Sequence, residues 1–151
     1  PLIIKQPNGT YKNIVKPVNA NTSILHEILR TTNIQPPNYI KEFLDGNYIS
    51  YKGYAVTETI RRPDENKYSI SLTDKNFRYW LQLEMNWDSL SIQNYVGEKL
   101  FKIDQINYFA DESIDLIDQY PEDVKTRQKV ALEFLNSNLE FQKKYPISSL
   151  A

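Results

Sequence analysis

Apolar and polar positions alternate most sharply between Lys67 and Asn86. Tyr68, Ile70 and Leu72 share one parity, and Phe77, Tyr79, Leu81, Leu83 and Met85 form a second alternating run. Strand side chains alternate faces with period 2, so each set predicts a buried face. The stretch reads as two strands that turn at Asp74-Lys75. Lys67, Ser69, Ser71, Thr73, Arg78, Gln82 and Glu84 fall on the opposite face, and Trp80 falls among them. A tryptophan in a polar row is the one residue of this hairpin that asks for a reason.

The flanking segments extend the pattern. Tyr48 to Ile60, rich in Tyr, Val, Ile and Thr, predicts a preceding strand with a bulge at Gly53. With the hairpin it makes a three-stranded antiparallel meander, and Ser89 to Ile92 predicts a short fourth strand. Nearer the N-terminus, Asn8-Gly9 is a two-residue turn signal that predicts a hairpin over Leu2 to Lys16. Thr22 or Ser23 caps a short helix running through Arg30. A second short helix carries Ile40, Phe43 and Leu44 and closes at Asp45-Gly46.

From Gly97 onward the spacing reads as helical, through Leu100, Phe101, Ile103 and Ile106. Asp111 caps a predicted short helix bearing Ile114, Leu116 and Ile117. Pro121, followed by Glu122 and Asp123, starts a long helix that runs to about Lys144. Its apolar stripe is Val124, Ala131, Leu135 and Leu139, flanked by Val130, Phe134 and Phe141. The order predicts one α+β domain spanning residues 1–151. It comprises an antiparallel sheet (N-terminal hairpin plus three-stranded meander) packed by helices, with a long C-terminal helix.

Composition narrows the chemistry. With 151 residues, 40% hydrophobic and 25% charged, the chain has the makeup of an ordinary globular domain. It contains no cysteine and one histidine, His26, which leaves no thiol nucleophile, no disulfide framework and no Cys-based zinc site. Its four glycines, Gly9, Gly46, Gly53 and Gly97, never fall in a phosphate-cradling spacing. The net charge of −1 gives no global pull toward nucleic acid or an anionic membrane. No apolar window approaches the length of a bilayer span, and Pro1 to Lys5 does not read as a signal peptide, so a cytoplasmic location is expected. Lys outnumbers Arg 13 to 5, and Ile, Asn and Tyr are abundant, a usage that fits AT-rich coding in a bacterium, phage or mobile element.

Two groups of residues remain as candidate binding sites. The first is the outer sheet face, where Trp80 and Arg78 neighbour Lys67, with Arg61 and Arg62 in the adjoining loop. Trp and Arg are the residue types that dominate protein contacts. The same basic and aromatic mixture is also what single-stranded nucleic acid binds. The second is acidic: Asp111, Asp115 and Asp118 fall at i, i+4 and i+7, on one face of the predicted helix. Carboxylates so placed suit a basic partner, or a divalent ion in a metal-dependent hydrolase. No catalytic residue, metal ligand set or cofactor motif stands out. The sequence therefore predicts a non-enzymatic protein-binding domain of the adaptor, immunity, inhibitor or phage-accessory kind. A single-stranded nucleic-acid binder and a carboxylate-based hydrolase are the alternatives.

Overall fold

In the computed structural model, which describes residues 28–29, 32–38, 41, 51–60, 66–107 and 109–144, the chain forms a curled antiparallel sheet and one long C-terminal helix. The strands are β1 (Ala55–Ile60), β2 (Lys67–Thr73), β3 (Phe77–Asn86), β4 (Ser91–Ile103) and β5 (Ala110–Asp111). They neighbour one another in chain order. The helix α1 spans Pro121–Lys144, after a single 3-10 turn at Ile117–Gln119. No helix of the described residues is long and apolar enough to cross a membrane. The hairpin expected over Leu2 to Lys16, the loop with Arg61 and Arg62, and His26 lie outside the described residues, as do most of both short N-terminal helices.

The register of β2 and β3 follows from their alternation. Tyr68 stands opposite Leu83, Ile70 opposite Leu81 and Leu72 opposite Tyr79. All six are fully buried. They join Met85, Leu100 and the α1 residues Val124, Ala131, Phe134, Leu135 and Leu139 in one apolar cluster. The α1 stripe thus closes over the apolar face of the sheet, where most of its burial energy comes from.

Two expectations are corrected. Gly53 marks no bulge in a continuous strand. Tyr51 and Tyr54 exchange both backbone hydrogen bonds at 2.9 Å, and the chain reverses between them at Lys52 and Gly53. Both turn residues have positive φ, 49° and 87°, as a turn matched to strand twist requires. The turn then docks on α1, where the Tyr51 ring meets Phe134 edge-on at 5.1 Å and Lys52 pairs with Glu133. That hydrogen bond raises the Lys52 pKa and lowers that of Glu133.

The second correction concerns residues 97–106. The segment expected to be helical is the second half of β4, a strand of 13 residues. Leu100 packs into the apolar cluster, while Phe101 and Ile103 are buried from the other side of the sheet. A strand buried on both faces is a run of apolar residues without alternation, which sequence spacing confuses with a helix. Two register shifts against β3 leave Val96 and Gln93 as extra residues in β4. Bulges of this kind bend a strand and increase its twist, which accounts for the curl.

Candidate functional site

The outer sheet face places Trp80 between Ser71 on β2 and Lys99 on β4, on the side opposite the buried Tyr79 and Leu81. Trp80 is half-buried, and the Ser71 beside it is buried. Arg78 stands opposite Phe101, and Glu112 follows the Asp111–Lys102 pair in register. Arg78 reaches Glu112 at 2.8 Å. This ion pair therefore spans β4 across the row that holds Phe101. Lys67 faces Glu84 across the strands. Arg78 thus meets a carboxylate and Lys99 stands beside Trp80, while Arg61 and Arg62 lie outside the described residues.

The acidic residues do not share a helical face. Asp111 ends β5, Asp115 lies between β5 and the 3-10 turn, and Asp118 sits in that turn. Each of the first two carboxylates works locally. Asp111 accepts hydrogen bonds from the Ser113 hydroxyl at 2.5 Å and its amide at 3.1 Å, and these hold its pKa below the usual carboxylate value. Asp115 accepts the Leu100 amide at 3.1 Å and the Ile117 amide at 3.2 Å, which ties the segment to the edge of β4. Among the described residues, no three of His, Cys, Asp or Glu stand together as a metal site.

The segment carries a second feature that the acidic spacing hid. Between Ile103 and Val124 fall seven of the chain's 19 acidic residues and none of its 18 basic ones. The segment therefore carries −7, and the rest of the chain +6, behind a net charge of only −1. The same stretch leaves Ile106 90%, Phe109 74% and Ile114 55% exposed. The first two sit at the β4–β5 connection, where Asp104 donates its amide to the Phe109 carbonyl at 2.9 Å. Asp104 Oδ1 accepts the amides of Ile106 and Asn107 at 2.6 and 3.2 Å. The connection is thus a bonded turn that holds Ile106 and Phe109 out in water. Scattered exposed apolar residues are ordinary, and these three all fall between Asp104 and Asp115 in sequence.

Polar side chains absent from the sequence reading lock the helix to the sheet. Arg127 lies within the apolar stripe of α1 and is 4% exposed. It donates to Asp74 Oδ2 at 2.6 Å and to Asp123 Oδ1 at 2.7 Å, between the rings of Tyr54 and Phe77. Burial works against its charge, but the two carboxylates outweigh it and raise its pKa. Two further locks repeat one design. Tyr68 donates its hydroxyl to Glu58 on β1 at 2.5 Å, and Asn138 donates to the same oxygen at 3.1 Å. Tyr79 donates to Glu98 on β4 at 2.5 Å, and Gln128 donates to that oxygen at 3.3 Å. Both flanks of the sheet are so tied to α1. The sequence signal for Arg127 was its spacing, three residues after Val124 and four before Ala131.

No protein-family model matches this chain, and searches of curated proteins and of solved structures find no match either.

Proposed function

We propose that this chain is a non-enzymatic protein-binding domain whose contact surface is the flank from the β4–β5 turn to the 3-10 turn. The observation that carries the reading is the exposure of Ile106, Phe109 and Ile114 within one short stretch of sequence. Water contact at these side chains is unfavourable by roughly 25 cal/mol per Å², and a partner would remove it. The polar clusters support the same reading: Arg127, Tyr68 and Tyr79 are spent on holding the helix to the sheet. The nucleic-acid reading receives less support, because Arg78 is paired with Glu112. The hydrolase reading lacks an assembled carboxylate group among the described residues.

The test is affinity capture with the native chain and an Ile106→Ser/Phe109→Ser variant as paired baits, with captured proteins identified by mass spectrometry. The reading expects a protein retained by the native bait and lost from the variant by tenfold or more, since apolar anchors contribute most to contacts. An identical set of captured proteins would overturn it.

A further inference from the structure

We infer that the partner bound by this flank presents a basic amphipathic segment, with apolar side chains flanked by Lys or Arg. The inference rests on the protein-binding reading above and names the chemistry of the partner. Its basis is charge complementarity around an apolar surface. The exposed Ile106, Phe109 and Ile114 lie within a stretch that carries seven carboxylates and no basic residue. Two of those carboxylates have cationic partners, Glu112 with Arg78 and Asp123 with Arg127, and Asp111 stands opposite Lys102 in the sheet. Asp104, Asp111 and Asp115 accept amide hydrogen bonds from their own segment or from β4. Asp118 and Glu122 are exposed beyond them.

An acidic partner would be repelled by this field, and a neutral one would gain nothing from it. A basic one is steered in and gains the apolar contact on arrival. An anionic membrane is disfavoured by the same sign of charge.

The experiment uses the full chain, labelled for amide NMR, with defined probes. The first probe is a helical peptide of about 18 residues, long enough to form a helix when bound, with Leu on one face and Lys on the other. The second carries Glu in place of Lys. Vesicles of phosphatidylserine and phosphatidylcholine form a third. The inference expects the Lys peptide to shift the amides of Ile106, Phe109 and Ile114. Its affinity should fall roughly tenfold between about 50 and 300 mM NaCl, as screening shortens the reach of the field.

Asp118→Asn/Glu122→Gln removes two carboxylates that hold no turn, and should weaken binding by roughly threefold with the fold unchanged. Equal shifts from the Glu peptide would overturn the basic partner and leave the contact surface standing. Shifts from neither peptide, with capture unaffected by Ile106→Ser/Phe109→Ser, would overturn both. Binding to vesicles in preference to the Lys peptide, or shifts that follow protein concentration alone, would assign the surface to a membrane or to a second copy and overturn the inference.

Discussion

Asp74→Asn should destabilise the protein by about 3–5 kcal/mol, the range found when one partner of a buried ion pair is removed. The substitution keeps an oxygen for the Asn76 and Phe77 amides, which Asp74 Oδ1 accepts at 2.7 and 2.8 Å. The turn between β2 and β3 therefore survives, and the lost quantity is the charge facing Arg127. That guanidinium is nearly inaccessible, with a side chain 5% exposed, and its Nε has no partner among the described residues. Asp123 remains, but its own side chain is 47% exposed, so water screens its help.

The companion variant separates this account from a simple packing defect. Arg127→Met removes the buried charge and leaves Asp74 and Asp123 with access to water. Combined with Asp74→Asn, it should recover most of the loss, since an apolar replacement of similar length avoids the burial penalty. Urea unfolding of the two single variants and the double variant measures the coupling. A loss under about 1 kcal/mol for Asp74→Asn would mean that the guanidinium is solvated.

The second large effect is alkaline. Burial, together with the Glu58 and Glu98 carboxylates, pushes the phenol pKa values of Tyr68 and Tyr79 well above 10. The unfolded chain ionises these phenols near pH 10, while the folded one keeps both protons. Their stabilisation is complete below pH 10 and is lost as pH rises through and beyond it. Each phenol then costs about 1.4 kcal/mol per pH unit, so the pair costs about 2.7. Between pH 10 and 12 this amounts to roughly 5 kcal/mol, comparable to the whole stability of a small domain. Lysines also titrate there, so the diagnostic quantity is a difference. Stability measured from pH 9 to 11 should fall more steeply in the native chain than in Tyr68→Phe/Tyr79→Phe. Parallel slopes would show that the phenols ionise within the fold.

These two predictions rest on residues that sequence patterns reach unequally. The alternation through Tyr68, Ile70 and Leu72 and through Tyr79, Leu81, Leu83 and Met85 identified buried positions, because one face of each strand is polar. The long helix was legible from Pro121 through Lys144, since an N-terminal proline, an acidic first turn and a basic last turn agree with its stripe. The second half of β4 was not legible. Leu100 and Phe101 are buried from opposite sides, so its alternation vanishes. The turn at Lys52-Gly53 was misread for a different reason: a glycine among strand-forming residues suits both a bulge and a reversal, and only long-range packing decides.

The candidate site divides the same way. Trp80 takes the outer position that parity assigned it, yet it is half-buried, and Arg78 beside it is committed to Glu112. The acidic residues have a helical spacing in a segment that is not α-helical. Exposed apolar side chains, Ile106, Phe109 and Ile114, stand among them instead. Exposure of Ile106 and Phe109 is a property of the turn that Asp104 organises, and no periodicity encodes it. Arg127 was visible as a charge inside an apolar stripe, but its partner Asp74 lies 53 residues away in sequence.

The central claim is that Ile106 and Phe109 contribute to contact and not to the fold. Equilibrium urea unfolding of Ile106→Ser/Phe109→Ser tests it without any partner in hand. A stability within about 0.5 kcal/mol of the native chain is expected, as for surface substitutions in general. A loss above about 2 kcal/mol, the cost of emptying a packed site, would place these side chains in a core and remove the contact surface.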